Sequence, residues 1–279
     1  MALKLSILRS LLGLAMLGSV AACSTTSYDF ADVKPTATRT TTTSFQTGLA
    51  YPRFNDRKPH PWDKALAPTS YAIHGTDVSK YQGSVDWGIA RESGVSFAFI
   101  KATEGGDRVD DMFATHWQEA KASGIPRAAY HFYYFCRTAQ DQADWYIRNV
   151  PKEKNSLPPV LDMEWNHMSP TCKKRPPASV VRAEMKIFLE RLTKHYGKKP
   201  IIYTSIDFYE DNRLDLFTGY DWWLRSVSAH PHIRYGTKDF LFWQYTGTGK
   251  VPGIKGDADI NVFNGTQNEW RAWVAKHTS

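Results

Sequence analysis

Cysteine is scarce in this chain of 279 residues, with only three present. None belongs to a CxxC pair, and no histidine cluster has metal-ligand spacing. His230 and His232 stand two residues apart in what reads as a loop. No metal and no other cofactor is therefore expected. No basic cluster is interleaved with aromatics, which argues against nucleic acid as a partner. The apolar run near the N-terminus, Leu11-Leu12-Gly13-Leu14-Ala15-Met16-Leu17, is too short to span a bilayer stably.

That run has instead the length of a signal-peptide core, and Lys4 and Arg9 precede it as a basic region. It ends in Val20-Ala21-Ala22-Cys23, which resembles a bacterial lipobox. Residues 1–22 then read as a lipoprotein signal peptide and Cys23 as the lipidated first residue of the mature chain. The competing reading is an ordinary secretory signal cleaved near Ala22, with Cys23 incidental. Both place the mature chain outside the cytoplasm. Ser24, a residue other than Asp after the cysteine, suggests by analogy the outer membrane, facing the periplasm. Residues 23–69 show no hydrophobic period, carry a Thr-rich run and hold five prolines at 35, 52, 59, 61 and 68. They read as a flexible linker with a root-mean-square span of roughly 35–40 Å. Aromatics between Tyr51 and Trp62 suggest that part of it packs onto the domain.

The formal charge of +7 falls to +5 without Lys4 and Arg9. Mild, diffuse basicity suits an anionic polymer such as a cell wall. Trp alone numbers 10, an excess that serves sugar stacking as well as a core. Without Cys23, Cys136 and Cys172 remain as an even pair in an oxidising compartment. A bridge between them would be worth about 4 kcal/mol in the chain-entropy model.

From residue 70 onward the pattern alternates. Strands are expected at 72–78, 95–101, 127–134, 160–164 and 200–204. Helices are expected at 87–93, 111–123, 138–150 and 177–196. The last helix repeats Val181, Met185, Phe188 and Leu192 on one face and ends at Gly197. Three further strands, at 222–225, 239–245 and 259–262, have little helix between them. Strand–helix alternation implies a parallel sheet. Eight strands in some 200 residues imply an α/β, irregular TIM-like barrel whose outer helices are missing in the last third. Chemistry in such barrels sits at the C-terminal strand ends. Asp77, Glu104, Asp162, Glu164 and Tyr203 fall there. Cys136 and Cys172 follow the third and fourth strands, on that same face.

The run Pro158-Pro159-Val160-Leu161-Asp162-Met163-Glu164-Trp165 is the most informative segment. Side chains two apart on a strand share a face, about 6.6 Å apart along it. Two carboxylates so placed are costly unless their protonation states differ, as acid–base attack on a glycosidic bond requires.

Six segments in order resemble glycoside hydrolase family 25, the lysozymes or muramidases. They are His74 to Gly83 with Val85-Asp86-Trp87, Phe99 to Gly105, Ala129-Tyr130-His131-Phe132, Leu161 to Glu164, Ile201 to Thr204, and Trp243-Gln244-Tyr245 with Gly253-Ile254 and Asp257 to Asn261. The sixth strand departs, reading Trp222-Trp223-Leu224-Arg225-Ser226 where the family often carries LW-A-Y. The resemblance implies a catalytic domain over residues 70–279 acting on peptidoglycan glycan strands, at the β-1,4 bond from N-acetylmuramic acid to N-acetylglucosamine. It implies Glu164 as general acid and Asp162 as the group that orients the substrate N-acetyl. Asp77 and Asp259 are further catalytic candidates, one of which would activate water in an inverting scheme. Tyr130, Tyr203, Trp243 and Gln244 are candidates for substrate binding. Glu104 reads as support for Lys101, and His131 as a packing histidine. Asp257 is the alternative should Asp259 prove a loop residue. No wall-binding repeat follows the domain, so a lipid anchor would localise a monomer. The other reading is a lipid-anchored peptidoglycan-binding protein that keeps the fold without turnover.

Overall fold

The computed structural model describes residue 50 and residues 52–278. The leader, Cys23 and the linker up to its last residues lie outside the described residues. Eight strands form the barrel: β1 (Ile73–Val78), β2 (Val95–Glu104), β3 (Arg127–Phe132), β4 (Val160–Met163), β5 (Ile201–Thr204), β6 (Trp222–Arg225), β7 (Phe242–Lys250) and β8 (Ala258–Phe263). Neighbours from β1 to β7 pair in parallel. β8 runs antiparallel to both β7 and β1 and so closes the ring.

The helices are α1 (Trp87–Glu92), α2 (Phe113–Ala122), α3 (Ala139–Asn149), α4 (Ala178–Tyr196), α5 (Ile206–Asp211), α6 (Pro231–Arg234) and α7 (Gln267–Thr278). Local chemistry sets their ends. The Asp86 carboxylate accepts from the Ile89 N–H at 2.9 Å and starts α1. Gly197, at φ 72°, ends α4 by donating to the Thr193 carbonyl. α4 buries Val181, Met185, Phe188, Leu189 and Leu192 against the outside of the sheet.

Strand parity divides the core in two. The inner layer holds Ile73, Phe97, Phe99, Val160, Ile201, Trp223, Phe242 and Phe263. The outer layer, under the helices, holds the residues that alternate with them, such as Ile100, Leu161, Met163, Ile202 and Leu224. Fully burying each large side chain contributes about 1.5–3 kcal/mol. Gly75 belongs to the inner set because a Cβ there would lie 2.5 Å from the Phe97 ring. α7, which the sequence pattern does not announce, closes the bottom of the barrel. Its Trp270 lies 5.4 Å from Phe97 and 5.1 Å from Phe263, and Trp273 lies 5.4 Å from Phe242.

One expectation needs correction. Residues 52–69 belong to the domain and not to a flexible linker. Asn55 and Asp56 pair with the far end of β7, Arg57 forms an ion pair with Asp257, and the Trp62 ring meets Trp243 at 5.2 Å. This segment is held by edge pairing, an ion pair and two aromatics, Phe54 and Trp62, none of which gives a hydrophobic period. The last third of the barrel carries little outer helix, as expected: α5 and α6 span only 6 and 4 residues, and α7 follows the last strand. Among the described residues no helix is long and apolar enough to cross a membrane.

Candidate active site

The inward positions at the C-terminal ends of the parallel strands, with Asp259 from the start of β8, line a cleft of about 540 Å3. Strand by strand they are Asp77, Lys101, Tyr130 with Phe132, Asp162 followed by Glu164, Tyr203, Arg225, Gln244 and Asp259. Each is an even step along its strand from an inner-layer apolar residue, for example Val160–Asp162–Glu164. The period of two therefore carries the same face from packed core to polar mouth.

All four acids expected from the sequence meet in this cleft. Asp77 and Asp259 are direct cross-strand partners on β1 and β8. Burial pushes the Asp77 carboxyl up to about 6, against the pull of two donors. These are Asn261 Nδ2 at 2.7 Å and Gln244 Nε2 at 2.9 Å, both on Oδ2. The donors are fixed in turn: Trp223 Nε1 donates to Asn261 Oδ1 at 2.7 Å, and the Tyr203 hydroxyl donates to Gln244 Oε1 at 3.0 Å. Trp223 has no acceptor nitrogen, so it dictates which end of Asn261 faces Asp77.

Asp162 is 5% exposed, and its Oδ1 has no hydrogen-bond partner among the described residues. Burial, then the neighbouring Glu164 charge, drives its carboxyl well above the usual range. Glu164 keeps an edge at the cleft surface; burial raises it too, and Arg225 pulls it back. Burial and the Asp77 charge raise Asp259 well above the ordinary value. With these carboxyls titrating together, protons stay in the cluster at pH values where free carboxyls have lost theirs.

Two cations line the same cleft. Lys101 Nζ reaches Glu104 at 2.6 Å and lies 4.9 Å from the Phe132 ring centre. The Tyr134 hydroxyl also donates to Glu104, at 3.2 Å, which fits the expected supporting role of Glu104. Arg225 stands beside Gln244 on the adjoining strand, in the segment where the sequence departs from the family pattern. Tyr81, 83% exposed, edges the cleft beyond the Ser79–Gln82 capping box. Arg225, Asn261 and Tyr81 escaped the sequence reading. Inward parity on β6 and β8 would have flagged the first two.

Trp243 is the residue that the structure removes from the site. Neighbours on a strand face opposite ways, so Gln244 pointing inward forces Trp243 outward. It is fully buried in the outer layer, with Nε1 on the Ser226 carbonyl at 2.7 Å and its ring against Trp62 and His230. Gln244 spends both polar ends on Tyr203 and Asp77, so it holds Asp77 in place. Asp257 lies outside the cleft, paired with Arg57 and Lys250. His131 is sealed between Thr103 and Gln142 and stacked on Phe188, and burial lowers it to about 3. His230 meets the Tyr71 hydroxyl at 2.9 Å. Among the described residues no group of three His, Cys, Asp or Glu side chains is placed to hold a metal ion. Cys136 and Cys172 are joined, tying the β3–α3 loop to the β4–α4 loop at the mouth.

Known proteins share this arrangement of strands. Residues 76–254 match the family described as Glycosyl hydrolases family 25. The chain is 38% identical to the uncharacterized protein YegX of Escherichia coli K12, over 74% of this chain and 75% of that one. It is 32% identical to Lysozyme M1 of Streptomyces globisporus, over 74% and 73%. Among solved structures, a family 25 glycosyl hydrolase from Bacillus anthracis superposes with a TM-score of 0.68 at 36% identity, over 78% of this chain and 98% of that one. The bacterial lysozyme of Streptomyces coelicolor does so with 0.66 at 32%, over 74% and 98%. A closed barrel, acids gathered at its mouth and a match across most of the domain lead to one conclusion: the chain belongs to glycosyl hydrolase family 25 and is a glycoside hydrolase.

Proposed function

We propose that this enzyme is a cell-wall muramidase, cutting the β-1,4 bond between N-acetylmuramic acid and N-acetylglucosamine with Glu164 as proton donor. The observation that carries the assignment is the Asp162–Glu164 pair, two carboxylates on one strand face, both held above their ordinary proton affinity by burial. Such a pair keeps an acid available near neutral pH.

Asp162 Oδ1 is a buried acceptor with no donor among the described residues, and leaving it unsatisfied is unfavourable by about 1–3 kcal/mol. The N–H of the substrate's 2-acetamido group would satisfy it. That hydrogen bond favours ionised Asp162 and leaves the shared proton on Glu164. Glu164 then protonates the glycosidic oxygen as the bond to C1 breaks, and the acetamido carbonyl oxygen bonds to C1. Asp162 stabilises the positive charge of that ring. Water, deprotonated by Glu164, attacks C1 and restores the acetamido group. The substrate supplies the nucleophile, as in the substrate-assisted exceptions to the two-carboxylate scheme. Asp77, ionised above about pH 6 and oriented by Gln244 and Asn261, adds negative charge on the opposite wall. The exposed Tyr81 and the ring of Tyr130 offer stacking surfaces for sugars.

Mass analysis of digested peptidoglycan tests the bond assignment. New N-acetylmuramic reducing ends are expected; N-acetylglucosamine ends, or none, would overturn it. The N-terminal Val20-Ala21-Ala22-Cys23 supports a second part of the proposal, a lipid anchor on Cys23 holding the enzyme at the outer membrane. Fatty-acid labelling that persists in Cys23→Ser would refute the anchor.

A further inference from the structure

The loops tied by Cys136–Cys172 enclose a second hollow of about 110 Å3 beside the cleft. It shares Trp165 and His167 with the cleft, so a molecule bound in one can continue into the other. One side is aromatic, with Tyr134, Phe135 and Trp165. The rim carries three cations in succession, Lys173, Lys174 and Arg175. Lys173 and Lys174 are exposed, with no carboxylate in ion-pair range among the described residues. Arg175 lies over the Trp165 ring at 4.8 Å and reaches Asp211 only at 3.9 Å. Asp211 in turn accepts from Trp165 Nε1 at 2.8 Å, which fixes the indole.

Three adjacent like charges repel one another, and one weak ion pair does not neutralise them. The disulfide removes much of the freedom the loop would otherwise lose on binding. A rigid, aromatic, cationic pocket open to a glycan cleft fits an acidic chain that branches from the sugar. The muramic lactyl group carries such a chain, a short peptide with several free carboxylates.

We propose that this hollow binds the acidic stem peptide of the muramic acid residue, with Lys173, Lys174 and Arg175 meeting its carboxylates. The proposal rests on the muramidase reading. It makes the enzyme favour peptide-bearing glycan strands over strands stripped of peptide.

Two measurements on the mature chain test it, comparing wild type with K173E/K174E. The first is the ratio of kcat/KM on intact peptidoglycan strands to that on strands stripped of peptide by an amidase. The double variant should lower this ratio about 10-fold; an unchanged ratio overturns the proposal. The second is calorimetric titration of the free tripeptide L-alanyl-γ-D-glutamyl-diaminopimelate. Wild type should bind it, and the double variant at least about 10-fold more weakly; no binding, or equal binding, overturns the proposal. Should wild type cleave neither strand, the muramidase reading fails while the titration still decides the hollow.

Discussion

Asn261→Leu isolates the device that keeps Asp77 ionised. Leucine keeps the branched shape of asparagine but is larger, so the fully buried site stays filled with some overpacking. What disappears is the shorter of the two hydrogen bonds to Asp77 Oδ2, the one at 2.7 Å. A hydrogen bond to a charged group is worth about 1.5–3 kcal/mol, and each pKa unit is 1.36 kcal/mol. The Asp77 carboxyl should therefore move from about 6 to roughly 7–8. The acid limb of kcat/KM reports the free enzyme, so it should move up by about 1–2 pH units. The alkaline limb, where Glu164 loses its proton, should move much less. Trp223 Nε1 also loses its acceptor, so stability should fall by about 1–3 kcal/mol in urea melts. A folded variant with an unmoved acid limb would refute the role given to this network.

Asp77→Asn should trade activity for stability. The folded value of about 6 exceeds the ordinary 3.8, so folding carries a penalty for ionised Asp77 that is complete above pH 6 and absent below 3.8. At pH 7.5 the variant should be more stable by up to about 3 kcal/mol, and the gain should vanish near pH 3.5; a gain that persists in acid contradicts the burial argument. Trp62→Ala should lower stability by about 1–3 kcal/mol, less than for a fully buried ring, while kcat stays unchanged, because Trp62 only braces Trp243 on the outer layer. Thermal melts with matched turnover assays check it, and an unaffected melting temperature would return residues 52–69 to the status of a loose tether.

Much of this was legible because parity is a strong code. The starts of β2, β4 and β5 are apolar on both faces and turn polar only at the cleft end, and α4 repeats its buried face along its length. The same code placed Asp162 and Glu164 together without any knowledge of the fold. Applied to β7 it also separates Gln244 from Trp243, which cannot both face the cleft. Other parts left weaker traces. α7 holds its place with Trp270, Trp273 and Val274 and has no long apolar repeat, and residues 52–69 dock largely through backbone pairing. Asn261 and Arg225 are polar residues inside a barrel, where apolar ones are the default; only their partners, Trp223 and the acids, explain them. The Arg225 position is also where the resemblance to the family breaks, so the family pattern said nothing of it.

The central claim is that Glu164 delivers the proton. Digesting purified peptidoglycan with wild type and Glu164→Gln side by side, and counting new N-acetylmuramic reducing ends by mass, tests it most directly. Loss of a positioned general acid is worth about 10²–10⁴-fold, so the variant should release ends that much more slowly while it still binds the glycan. Equal release by the two enzymes would contradict the account.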